Sequence, residues 1–199
     1  MGRDHPQLIS AEDRLRLVDV FNQAQKRGWI GRQAIDLHMD HSLGFAAAVA
    51  ATPTIAVDLG SGGGLPALVL VAAWPRSQWT LVESSLRRAA FLEQHCASNG
   101  WSDRVVVRHE TAQNLGDQEQ HRGKADLVTA RSFGSSSRVV EVAAPLLRLG
   151  GELVVSAAPD ATPWPAESLS ALGLGPDRLT RTVPRFHRAT QLAPCPPTV

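Results

Sequence analysis

Ile55-Ala56-Val57-Asp58-Leu59-Gly60-Ser61-Gly62-Gly63-Gly64-Leu65-Pro66 joins a short apolar strand to a glycine loop and then to a helix. That order makes a ligand cradle. Glycines lack a Cβ, so the loop can take positive φ and a ligand can lie against main-chain N–H groups, while Pro66 suits the first turn of the following helix. From Ile55 onward strand and helix patterns alternate, which predicts parallel βαβ units and an α/β class.

The glycines alone do not name the ligand. Gly62, Gly64 and Ala67 satisfy the loose G-x-G-x-x-G/A spacing of dinucleotide sites, so that reading stays open. Asp58 bears on the choice. A carboxylate two residues before the first glycine costs affinity beside a doubly charged pyrophosphate, whereas it helps beside a sulfonium and an ammonium. S-adenosylmethionine carries both of those cations and no phosphate. Glu83 ends the next apolar strand, Trp79 to Glu83, where a carboxylate can accept hydrogen bonds from both ribose hydroxyls of either cofactor. Asp58 by itself reads equally well as a turn acid at a strand end; its combination with Glu83 favours S-adenosylmethionine.

Composition narrows the class. With 199 residues, 43% hydrophobic and 20% charged, the chain is expected to form a single domain over 1–199. It divides into an N-terminal helical cap over 1–52, an α/β core over 53–192 and a disordered tail over 193–199. Two cysteines, Cys96 and Cys195, are too few for a disulfide framework and fit a reduced cytoplasm. Met1 to Ser10 is polar and charged, and the apolar run Leu65 to Trp74 falls short of the ~20 residues of a membrane span, so neither secretion nor membrane insertion is expected. Net charge is +1, so any contact with a polyanion has to be local. Of the basic residues only Lys26 and Lys124 are lysines. Arginine binds phosphate with a planar two-pronged donor set, although a compositional bias that also enriches alanine and proline accounts for the count equally well.

Ser10 caps a helix that runs to about Arg27, and a second helix spans about Gln33 to Ala50. After Glu83 a helix carries Leu86, Ala89, Leu92 and Cys96 on one face and closes at Asn99-Gly100. Strands are expected at Val105 to Val107 and Asp126 to Ala130, a loop over Asn114 to Lys124, and a helix from about Arg138 to Leu149. The turn Gly150-Gly151 then leads into Glu152 to Val155. Pro159 to Pro165 precedes a helix over Ala166 to Leu172, and Arg181 to Leu192 holds candidate edge strands.

In this order the stretches resemble the bacterial small-subunit ribosomal RNA guanine-N7 methyltransferases, the glucose-inhibited division protein B family. Val57 to Pro66 looks like that family's cofactor loop, down to its Leu-Pro. Leu81-Val82-Glu83-Ser84 with Arg87-Arg88 and Phe91-Leu92 is similar to its second strand and helix. Val128-Thr129-Ala130-Arg131 is similar to its fourth strand, and His38 with Ser42 and Leu43 to the helix before the first strand. The resemblance covers roughly 33–155 and departs at four places: the family's N-terminal tryptophan-asparagine and asparagine-leucine-threonine words are missing or shortened, His41 stands for an aspartate, Thr111-Ala112 for an alanine-glutamate, and Ser156-Ala157-Ala158-Pro159 for a lysine-glycine pair.

The resemblance implies a class I S-adenosylmethionine-dependent methyltransferase fold, Rossmann-like, with a mostly parallel sheet and helices on both faces. It implies methyl transfer to nitrogen 7 of a guanine in ribosomal RNA, with ribosomal RNA or the small ribosomal subunit as partner and the cytoplasm as location. The family's cofactor positions carry over to Gly60, Leu65, Thr111, Ala112 and Arg131, the reading of the strand ends and loop adds Asp58, Gly62, Gly64 and Glu83, and Arg131 is the expected catalytic residue. Two alternatives share the cofactor: a methyltransferase of small molecules, and a cofactor-binding protein without activity. Asp36, His38, Asp40 and His41 imitate a metal cluster by helical spacing, but a capping helix over the pocket is the better account, and no metal is expected. Arg181, Arg185, His187 and Arg188 form a local basic cluster, a candidate RNA contact or a solvated surface, and Trp164 either stacks on a base or pins a loop.

Overall fold

The computed structural model describes residues 9–156, 166–171, 173–178 and 185–189. Two helices, α1 (Ala11–Lys26) and α2 (Ile35–Ala48), precede the first strand. Ser10 caps α1, its hydroxyl accepting from the Asp13 amide at 3.0 Å. Then come β1 (Ile55–Leu59), α3 (Ala67–Ala73), β2 (Gln78–Val82), α4 (Leu86–Ser98), β3 (Val105–Arg108), α5 (Ala112–Asp117), β4 (Ala125–Arg131), α6 (Ser136–Leu146), β5 (Leu147–Ser156), α7 (Ala166–Ala171), β6 (Leu174–Arg178) and β7 (Arg185–Arg188).

The strands form one sheet in the order β3-β2-β1-β4-β5-β7-β6. The first five are parallel; β7 runs antiparallel to β5, and β6 antiparallel to β7. Strand order reverses between β1 and β4, and open α/β sheets bind ligands in the crevice outside the carboxyl ends of the strands at such a point.

Both faces of the sheet are covered, as a parallel sheet requires. Ala56 and Leu81 point toward α1 to α4, burying Leu17, Phe21, Met39, Phe45 and Leu92. Val57, Leu59 and Val128 point the other way, onto Leu115 of α5 and Val139, Val140 and Ala143 of α6. The period of two along β1 therefore places Asp58 on the Ala56 face, under the N-terminal helices.

The expected loop over Asn114 to Lys124 is in part α5 and a 3-10 turn at Glu119–His121. Thr111 caps α5, accepting from the Asn114 amide at 3.2 Å, and Ala112 and Leu115 are buried. One short helix with two apolar contacts leaves little periodic signal. α6 ends earlier than expected, and Leu147 to Leu149 already belong to β5. Leu147 pairs with Ala125, the register then slips, and pairing resumes at Leu127–Glu152. The expected turn Gly150-Gly151 is this irregularity within one strand. Leu86, expected on the buried face of α4, is 66% exposed, and Phe91 takes the core position. In the Arg181 to Leu192 region β7 is no edge: it lies between β5 and β6 with Phe186 fully buried. Pro159 to Pro165, Leu172, Arg181 and 193–199 lie outside the described residues.

Gly151 has no space for a side chain. An added Cβ would stand 2.7 Å from the Ala125 carbonyl oxygen and 3.0 Å from that of Arg148, both main-chain atoms that cannot swing away. Gly151→Ala is expected to lower stability by about 1–3 kcal/mol, read as a drop in denaturation midpoint; an unchanged midpoint would show that this strand yields freely.

Candidate active site

The carboxyl ends of β1, β2 and β4 open onto a cavity of about 400 Å³. Its walls are the glycine loop from Gly60 to Gly63 with Leu65, the turn Glu83-Ser84 with Arg88, the segment Arg131-Ser132-Phe133, and Trp29-Ile30-Gly31 from the connection between α1 and α2. Four separate stretches of chain thus meet where the strand order predicts a ligand.

The loop is built to pack rather than to leave its amides free. The Ser61 N–H donates to the Val82 carbonyl at 3.0 Å, Gly62 to Glu83 Oε2 at 2.8 Å, and Gly64 to the Ser61 carbonyl at 2.7 Å. Three donors that a pyrophosphate would want are spent inside the protein. Gly60, at φ +68°, lies against Phe133, whose Cδ2 would be 2.7 Å from an added Cβ. A Cβ at Gly63 would stand 2.7 Å from Ile30 Cγ2 and 3.1 Å from Ala24, so the helical cap is seated directly on the loop.

Asp58 is buried behind the loop. Cross-strand register sets it beside Thr129, whose hydroxyl donates to Oδ1 at 2.6 Å; Oδ2 has no partner among the described residues. Burial pushes this carboxyl up to about 6, against the pull of the Thr129 hydroxyl, and the nearby Glu83 charge adds to the rise. Glu83, one residue beyond β2, behaves oppositely. Burial raises it, but Arg88 Nη2 and the Ser85 amide, both at 2.7 Å on Oε1, and the Gly62 amide on Oε2 outweigh that and hold it below the ordinary range. A carboxylate has about four lone-pair sites, so most of Glu83's capacity is in use. The Arg88 contact, five residues along, went unread in the sequence, where Arg87 and Arg88 look alike.

At the end of β4, Arg131 Nη2 donates to His38 Nδ1 at 2.9 Å, and His38 Nε2 meets the Gly31 carbonyl at 3.0 Å. A carbonyl only accepts, so the proton sits on Nε2 and Nδ1 offers its lone pair to the guanidinium. Arg131 Nη1 is buried without a partner among the described residues, and burial lowers the arginine's pKa. Next to this pair His41 Nε2 is hydrogen-bonded to Ser156 Oγ at 2.9 Å; burial, then Arg131 and His38, depress the His41 pKa. His41 and Ser156 are two of the departures from the family pattern, and 115 positions apart they face each other. Ser132 follows at φ +54°, in the left-handed region a side chain rarely adopts, and this bend delivers Phe133 to Gly60.

Of the residues expected from the sequence, Gly60, Gly62, Leu65, Glu83 and Arg131 line the cavity, while Asp58 and Gly64 lie in the strand and loop behind it. Thr111 and Ala112 begin α5 and are not among the described residues of its wall. Asp36 and Asp40 turn to Arg14, at 2.7 and 3.8 Å, while His38 and His41 turn to Arg131 and Ser156, so the four do not converge. Two members of the C-terminal basic cluster turn inward: Arg185 pairs with Glu152 at 3.0 Å, and Arg188, 5% exposed, donates to the carbonyls of Ala144 and Leu147.

Residues 31–160 match the family model of GidB, rRNA small subunit methyltransferase G. The chain belongs to this family. Asp58, Glu83 and Arg131 all fall inside the matched segment, and Trp29 and Ile30 of the cavity wall just before it. Ribosomal RNA small subunit methyltransferase G of Synechococcus sp. (strain WH7803) is 38% identical over 104 residues, 52% of this chain and 41% of that one. Its counterpart in Chloroflexus aggregans is 36% identical over 166 residues, 83% of this chain and 66% of that one. The match to the Synechococcus relative thus spans less than half of that protein's length. Among solved structures, an S-adenosylhomocysteine-bound methyltransferase of Podospora anserina superposes with a TM-score of 0.61 at 15% identity, covering 96% of this chain and 100% of that one. The fold is that of the class I methyltransferases.

Because folding raises the Asp58 pKa from 3.8 to about 6, the native state holds this proton more tightly than the unfolded chain. Its contribution is fully present below pH ~4 and is lost as pH rises to ~6, on the order of 3 kcal/mol. Asp58→Asn is therefore expected to be more stable than the parent above pH 6 in the ligand-free state, with the gap closing toward pH 4. Thermal melts across that window check this, and a gap that does not change with pH would refute it.

Proposed function

We propose that this chain transfers a methyl group from S-adenosylmethionine to nitrogen 7 of a guanine in small-subunit ribosomal RNA, in the cytoplasm. One observation carries the reading: a buried carboxylate, Asp58, whose Oδ2 has no partner among the described residues, behind a glycine loop in which the Ser61, Gly62 and Gly64 amides are already spent inside the protein. Such a site suits a cationic amino-acid end and is a poor host for pyrophosphate, which weakens the dinucleotide alternative. Family membership supports the acceptor.

The residues divide the work. Asp58 sets its charge behind the loop, where it favours the ammonium of the methionine end across the loop, and that cation offsets what burial costs the carboxylate. Glu83 takes a ribose hydroxyl on its remaining lone pair, and Arg88 yields the rest of Oε1 if a second hydroxyl binds. Gly60, Gly62, Gly64 and Leu65 shape the floor, and Thr111 and Ala112 lie beyond the cavity on the adenine side. Bound S-adenosylmethionine supplies an electrophilic methyl; the nitrogen 7 lone pair takes it while the S–C bonding pair stays on sulfur. No proton leaves, so no general base is needed. Arg131 then acts by placement: its guanidinium, in the cavity wall, donates to guanine O6, the acceptor beside nitrogen 7 on the same edge. Holding donor and acceptor in line is a proximity effect worth up to ~7–11 kcal/mol.

Calorimetry with S-adenosylmethionine and methyl incorporation into purified small ribosomal subunits test this together. Asp58→Ala is expected to weaken cofactor binding at least tenfold. Arg131→Ala is expected to lower incorporation on the order of a hundredfold while cofactor affinity changes less than tenfold. Tight binding of NAD, or incorporation only into small molecules, would overturn the reading.

A further inference from the structure

Trp29 belongs to two concavities. Besides walling the cavity, it lines an open groove of about 530 Å³ with Arg27, Arg87, Ala90, Phe91 and Gln94. The last four share one face of α4, being spaced three, four and seven positions along the helix. Arg27, at the end of α1, reaches over the floor, its guanidinium carbon 5.2 Å from the Phe91 ring centre and 5.5 Å from that of Trp29. The two rings meet edge to face at 5.2 Å.

Charge and exposure distinguish this groove. Arg27 and Arg87 are exposed, neither forms an ion pair among the described residues, and no described lining residue is acidic. The neighbouring Arg88, by contrast, is committed to Glu83. With Arg185 and Arg188 turned inward, the groove supplies guanidinium groups that no described carboxylate neutralises, beside the cavity. Phe91 is buried beneath, and the part-exposed Trp29 next to two arginines suits one class of ligand: a stacked base on a backbone of phosphates. A ligand crossing Trp29 from one concavity to the other must be longer than a single nucleotide.

We propose that this groove is a docking subsite for single-stranded RNA flanking the nucleotide held in the cavity, with one base against Trp29 and Arg27 and adjacent phosphates on Arg27 and Arg87. It rests on the RNA reading of the acceptor. Arg27 and Trp29 precede the segment that matches the family, so family membership does not supply the subsite.

The test uses the full chain and a fluorescein-labelled single-stranded RNA hexamer, read by anisotropy at two salt concentrations, with S-adenosylmethionine calorimetry in parallel. Arg87→Ala is expected to weaken RNA binding about fivefold and Arg27→Ala with Arg87→Ala at least twentyfold. Each lost phosphate contact should flatten the dependence of log affinity on log salt by about 0.7. Arg27→Lys keeps charge but loses the planar stack, and is expected to fall between the parent and Arg27→Ala. Cofactor affinity and melting temperature should stay at parent values in Arg87→Ala. A parent that binds cofactor but not the hexamer, or a double variant that binds RNA like the parent, overturns the subsite. Equal competition by a hexaglutamate peptide does so too, in favour of an acidic protein partner. Failure of the parent to bind cofactor strikes instead at the methyltransferase reading.

Discussion

The Glu83 carboxylate is the fixture on which the site depends. It gathers the glycine loop through Gly62, the start of α4 through Ser85, and the flank of that helix through Arg88. Charge-assisted hydrogen bonds of this kind are stronger than neutral ones. Because the carboxylate is 2% exposed, any ionised state it holds must be matched by those donors. The strand that ends at Val82 therefore does more than add to the sheet: it delivers the acid that fixes where the loop from the neighbouring strand stops. Asp58 stands in contrast, a carboxylate from the same sheet left with one oxygen unanswered among the described residues. One acid organises the protein and the other is kept for something outside it.

How far the sequence reaches can be judged element by element. β1, its loop and Glu83 are legible because an apolar run, a glycine cluster and a strand-end acid are local signals. The same holds for α1, whose capping serine sits where the helix begins. Arg131 is legible only as an end-of-strand cation. Its partnership with His38 spans 93 positions, and nothing in either neighbourhood announces it. α5 hides because its helix is too short to show a period. The break in β5 reads as a turn between helix and strand because glycine pairs mark turns and irregular strands alike. β6 carries Gly175, Pro176 and Asp177, residues disfavoured in strands, and is held by pairing with β7. Its place in the sheet is a tertiary fact.

The basic stretch near the C-terminus shows the same limit from the other side. Three arginines and a histidine within eight positions suggest a surface for a polyanion. Folding instead spends Arg188 on the carbonyls at the end of α6 and the start of β5, and Arg185 on Glu152. Arg27 and Arg87, sixty positions apart, come together only where Trp29, after α1, packs against Phe91 of α4. Linear clustering and spatial clustering are separate properties, and only the second presents a field to a ligand.

Gly63 carries a constraint of another kind. Ile30 and Ala24 fill the space where its side chain would stand, so the three positions share one small volume. A larger residue at 63 demands a smaller one at 30 or 24, and a mutational drift at any of them is confined by the other two. Across descendants of this chain those positions should vary as a set, although the loop that carries Gly63 lies more than thirty residues along the chain from the helix end and connector that carry the other two.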